Sequence, residues 1–304
     1  MTTLAQLPSE LVDQICDFGP SSKVLFLWLT GDRLLQQKLV HVSRIALVDD
    51  VEESTSRYPR FLSSMVNLKE LSISRRSGPL GWKILIVELP KLSSLISLNL
   101  NLDVTDLMKL MESLQPDSFP SLTKLRINHL NPFEFQNLRN SAIAKNLLSL
   151  SIGPFDVNIA SLPPQLTDLT YHTIPDNTQH KFQLLPSGLT SLEAFLPNFS
   201  KQLTQCLPRT LQTLISPRVG FTPVFTGEEV ESLPPHLTKL SLGCYHLFSS
   251  ATHVPISFKS LCKLQELCLQ TSGRGDWSPS SLGDNFFPPN LACLQLGVAC
   301  HENP

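Results

Sequence analysis

The chain has 304 residues, only 16% of them charged, and a formal net charge of −2. With 24 Lys and Arg against 26 Asp and Glu there is no general basic surface, so neither nucleic acid nor a membrane is an expected partner. Seven cysteines without a CxxC pair give neither a disulfide framework nor zinc-ligand spacing, and no stretch reaches the roughly 18 uninterrupted apolar residues of a membrane span.

The first predicted elements, within residues 1–39, are helical. Pro8 and Ser9 precede a run in which Leu11, Val12 and Ile15 share one face, and Glu10 stands early, where a carboxylate favours a helix N-terminus. Gly19 and Pro20 end that run. Ser21 or Ser22 caps a second short helix with Leu25, Trp28 and Leu29, and Gly31-Asp32 introduces a third with Leu34, Leu35 and Leu39. The opening MTTLAQLPSELVDQ has no basic region ahead of an apolar run, so a cytoplasmic or nuclear protein is expected.

The string LPSELVDQI, with Leu7, Pro8, Glu10 and Ile15 at their spacing, resembles the opening of an F-box. That resemblance covers about 40 residues, counted on the sequence itself, and Trp28 within LFLWLTGD takes the place of the family's tryptophan. It implies a helical head that binds the Skp1 adaptor of a cullin ubiquitin ligase through Leu7, Pro8, Leu11 and Ile15. The alternative reading is a helical cap on a stand-alone interaction scaffold or inhibitor, since repeat arrays need covered ends.

From residue 40 to 304 a single pattern returns. After a starting unit, VSRIAL at Val42–Leu47, an LxxLxL string recurs with its first leucine at Leu68, Leu95, Leu122, Leu147, Leu166, Leu189, Leu211, Leu237, Leu264 and Leu291. The clearest copies are LPPQLTDLTY, LPSGLTSLEA, LPRTLQTLIS, LPPHLTKLSL and FPPNLACLQL. Successive spacings of 19 to 27 residues fall in or at the edge of the range of about 20 to 29 for leucine-rich repeats. An LxL strand turns two leucines to one face, and no single unit can bury that face, so copies must stack. The expected fold is therefore α/β: a leucine-rich repeat solenoid of about ten repeats, one short parallel strand each, with mixed helical and irregular returns.

The returns differ along the chain. TDLMKLMESL, at Thr105–Leu114, predicts a helix with Leu107, Leu110, Met111 and Leu114 on one face, and a second is expected within Phe133–Lys145. Between Leu147 and Leu211 the spacing shrinks to 19–23 residues, which predicts extended or turn-like returns with little room for helices. The asparagine or cysteine usually found three residues after the last strand leucine is missing, as at Arg76, Asp103 and Ala299, so these turns need other backbone partners. After the tenth strand CHENP follows almost at once, which predicts an open sheet edge.

The residues that alternate with the strand leucines form the expected binding face. The strongest cluster is Lys124, Arg126 and Asn128 beside Asn99 and Asn101, one strand spacing away, which suits an acidic or phosphorylated segment of a target protein. Catalytic signals are weak. The eight histidines make no metal spacing, GRGDW at Gly273–Trp277 lacks the strand-to-helix setting of a phosphate loop, and no carboxylate pair or nucleophile elbow is present. Neither an enzyme nor a cofactor or metal is expected.

Overall fold

The structure is a computed structural model that describes residues 42–49, 65–75, 89, 92–102, 107, 110, 112–115, 118–128, 142–153, 162–171, 184–194, 196, 201–217, 227–243, 257–271 and 286–298. The expected head, its boundary near residue 39, and Leu7, Pro8, Leu11 and Ile15 lie outside the described residues. The chain divides into two compact units, residues 1–152 and 153–304.

In the first unit five strands run parallel in chain order: β1 (Arg44–Asp49), β2 (Glu70–Arg75), β3 (Ser97–Asn101), β4 (Lys124–Ile127) and β5 (Ser149–Ile152). Their register stacks Ile45, Leu71, Leu98, Leu125 and Leu150 in one row. A second row carries Ile73, Leu100, Ile127 and Ile152, and all nine side chains are buried. Each such aliphatic contributes about 1.5–3 kcal/mol relative to an exposed position, which is why a unit unable to close its own face gains by stacking.

The second unit repeats the scheme with β6 (Asp168–Tyr171), β7 (Ser191–Ala194), β8 (Thr213–Ser216), β9 (Lys239–Leu242), β10 (Glu266–Thr271) and β11 (Cys293–Val298). Leu169, Leu192, Leu214, Leu240 and Leu267 form its buried row. The row ends at Leu294, which is 40% exposed, with Leu296 at 42%; residues 299–304 lie outside the described residues.

Ahead of β2 to β11 the chain turns in the same way. The N–H of the first leucine bonds the carbonyl three residues earlier, as in Leu166 to Pro163, Leu189 to Pro186, Leu211 to Pro208, Leu237 to Pro234 and Leu291 to Pro288, at 3.1–3.3 Å. Proline suits this place because it fixes φ and has no N–H to leave unpaired. The carbonyl just after one first leucine then accepts two N–H groups of the next repeat. Thr167 takes those of Thr190 and Ser191, and Gln212 takes those of Thr238 and Lys239. The turns where the asparagine is missing lie outside the described residues; ahead of the strands a side chain adds a further tie, from the residue before the first leucine. The residue before it bonds the previous turn: Ser94 Oγ to the Val66 carbonyl, Asn146 Nδ2 to Pro120, Thr210 Oγ1 to Ser187 and Asn290 Nδ2 to Cys262, at 2.6–2.9 Å.

The described returns carry helix in both units. Leu107 and Leu110 are helical and buried, and a 3-10 helix spans Ala142–Asn146 with Ile143 and Ala144 inside; the remainder of Phe133–Lys145 lies outside the described residues. The expectation of helix-free returns between Leu147 and Leu211 is corrected by an α-helix at Lys201–Cys206, with Leu203 and Thr204 buried. Six residues at about 1.5 Å rise span only about 9 Å, so a spacing of 22 residues accommodates the helix. It lies beside the helix Gly227–Glu231 of the next return, with Lys201 Nζ 3.0 Å from Glu228 and the hydroxyls of Thr204 and Ser232 hydrogen-bonded. Each strand from β2 to β11 thus belongs to one LxxLxL copy, and β1 to the starting unit.

Candidate functional site

The leucines leave the alternate strand positions facing outward, and the charge along those positions separates one place from the others. In the first unit Arg44 stands across from Glu70, its Nε 2.7 Å from the carboxylate. In the second, Lys239 stands across from Glu266 at the same 2.7 Å. That contact holds the Lys239 ammonium above the ordinary lysine range, first through the hydrogen bond to Glu266 and then through the charge of that carboxylate.

Lys124 and Arg126 have no such partner. The register places Lys124 between Ser97 and Ser149, and Arg126 between Asn99 and Ser151. Both are exposed, and neither has an ion-pair partner among the described residues. Arg126 Nε makes a long 3.4 Å bond to Asn128 Oδ1. Small hydroxyl and amide neighbours therefore stand where other outward cations meet a carboxylate.

The five residues expected to bind a target are brought onto one face, with different roles. Asn99 lies beside Arg126 and donates Nδ2 to Ser72 Oγ at 3.1 Å, while its Oδ1 is enclosed without a hydrogen-bond partner. Asn101 donates to Ser74 Oγ at 3.2 Å. These two asparagines tie β3 to β2, so their free donor capacity is reduced. Asn128, just past β4, continues the register through its N–H to the Leu100 carbonyl at 3.1 Å.

Two exposed apolar residues stand just ahead of the strands on either side of β4. Ile96 and Leu148 immediately precede β3 and β5, are 37% and 43% exposed, and flank Thr123 on β4's approach. The signal was the large aliphatic residue directly after the first leucine, Leu95-Ile96 and Leu147-Leu148, where the other copies place Thr, Gln, Lys or Ala.

The second unit's outward face differs. Asp168 and Glu193 supply carboxylates, the former accepting Thr167 Oγ1 at 2.7 Å, and Ile215 lies beside Glu193. Cys268 and Cys293 are free thiols there. Among the described residues there is no group of three or more His, Cys, Asp or Glu able to hold a metal ion, and no helix long and apolar enough to cross a membrane.

No protein-family profile matches the chain, and no curated protein matches it. Solved structures similar to it include the leucine-rich repeat-containing protein LegL7 from Legionella pneumophila, at 16% identity over 86% of this chain and 87% of that one, with a TM-score of 0.46. Another is the complex of Rad7 and Elc1 in yeast, at 16% identity over 94% and 91% of the chains and a TM-score of 0.46. CroV588, a circular leucine-rich repeat protein, is similar at 15% identity over 85% of this chain and 43% of that one, with a TM-score of 0.41. The repeat architecture itself rests on this chain's own strand register and buried leucine rows.

Proposed function

We propose that this chain is the substrate-recognition adaptor of a Skp1-cullin-F-box ubiquitin ligase, in the cytoplasm or nucleus. The observation that carries the reading is Leu7-Pro8 with Glu10 and Ile15 in F-box spacing, placed ahead of a run of leucine-rich repeats. An open face of short parallel strands suits a protein surface better than enclosure of a small substrate. In this reading Leu7, Pro8, Leu11 and Ile15 dock on Skp1, and Asn99, Asn101, Lys124, Arg126 and Asn128 hold the target. The chain is not itself an enzyme; transfer chemistry belongs to the ligase's other subunits.

The test is copurification of Skp1 and cullin with the tagged full chain, compared with Leu7→Ala/Pro8→Ala and with Leu11→Asp. Both partners should be recovered with the wild type and lost with each variant. Absence of Skp1 from the wild-type complex, or its retention by both variants, would favour a stand-alone interaction scaffold.

A further inference from the structure

We infer that the outward face of β3–β5 takes an extended protein segment bearing two carboxylates at alternate positions. The inference rests on the reading that this face holds a protein target, and not on docking of the head.

The geometry sets the spacing of the ligand. Leu125 turns into the core, so Lys124 and Arg126 rise from the same side of one strand. Two residues of strand rise separate them by about 6.6 Å, the same repeat that separates alternate side chains of any extended segment laid along β4. Two carboxylates at such positions meet both cations at once through charge-assisted hydrogen bonds.

The neighbours leave that approach open. Ser97 and Asn99 on one side and Ser149 and Ser151 on the other are short, and none is a carboxylate that would compete for the cations. Arg44, two strands away from β3 in chain order, shows the contrasting arrangement, already neutralised by Glu70.

The direction of the segment is read by experiment. Two fluorescein-labelled peptides, Gly-Ser-Ser-Ser-Glu-Ser-Glu-Ser-Gly and its reverse, would be titrated into the full chain and followed by anisotropy. At least one should bind, and Lys124→Ser/Arg126→Ser, or Gln for both Glu of the peptide, should weaken it by about tenfold or more. Lys239→Ser should leave it unchanged. The inference is overturned if neither peptide binds better than its Gln form, if Lys239→Ser weakens binding as much as the double variant, or if only a peptide with phosphoserine in place of Glu binds. Peptide binding without Skp1 recovery would reject the adaptor reading alone, and Skp1 recovery without peptide binding would reject this inference alone.

Discussion

Gly243 lies against the backbone of Pro217 so closely that a Cβ at position 243 would stand 2.2 Å from the Pro217 carbonyl oxygen. The Gly243 N–H also donates to the Ser216 carbonyl at 2.8 Å, so the contact holds the end of β9 to the end of β8. Any side chain here must displace backbone. Gly243→Ala is predicted to destabilise the fold by about 1–3 kcal/mol, as overpacking does elsewhere, measured by urea unfolding of the purified chain. Unchanged stability would mean that the two strand ends are not in contact.

The leucine rows make a graded prediction. Leu240 is fully buried between Leu214 and Leu267, whereas Leu294 at the last strand is 40% exposed. Leu240→Ala should cost about 2–5 kcal/mol through lost burial and a residual cavity. Leu294→Ala should cost less than half as much, since its side chain already meets water. Equal costs, read from paired denaturation curves, would contradict the stacking order.

The contact between Lys239 and Glu266 predicts a dependence on alkaline pH. The folded-state pKa of Lys239 is raised, chiefly by its hydrogen bond to Glu266, so the folded chain holds this proton more tightly than the unfolded chain. Its contribution is therefore whole below the ordinary lysine value and is lost as pH climbs through the raised folded value. Because the pair is solvent-exposed, the effect should be small and weakened by salt. Stability measured from about pH 9 to about pH 11.5 should fall more steeply in the wild type than in Glu266→Gln, with the difference shrinking in high salt. Parallel curves would show that the contact does not form in solution.

The turn contacts lead to a milder expectation. Asn146→Ala removes the bond from Nδ2 to the Pro120 carbonyl, made at an exposed position where water can substitute. The loss should be about 1 kcal/mol or less, seen as a small drop in thermal midpoint. A collapse of the fold would mean that this side chain does more than close a turn.

How legible these features were depends on how local their causes are. The strands could be read because Leu98, Leu125, Leu169 and Leu240 announce a buried face by spacing alone, and the proline turns follow from fixed φ and a missing donor. The helix Lys201–Cys206 could not, because spacing bounds the length of a return but not its conformation, and its support comes from the Gly227–Glu231 helix one repeat later. The cations of the candidate site were visible as residue types. That Arg44 and Lys239 meet a carboxylate while Lys124 and Arg126 meet none among the described residues depends on cross-strand neighbours 25 to 27 residues away, which only the register supplies. Ile96 and Leu148 were overlooked because aliphatic residues beside strand leucines look like additional core.

The central claim is that successive repeats lie on parallel strands in one fixed register, and cysteine pairing on the outward side tests it most directly. The register sets Ser191 across from Thr213 and diagonally from Ile215. One strand spacing of about 4.8 Å lies inside the Cα range of a disulfide, whereas the diagonal of about 8 Å lies beyond it. With the native cysteines replaced by serine, Ser191→Cys/Thr213→Cys should close under mild oxidation and Ser191→Cys/Ile215→Cys should stay reduced, as read by mass spectrometry. Closure of the diagonal pair instead of the direct one would contradict the register and the leucine rows that depend on it.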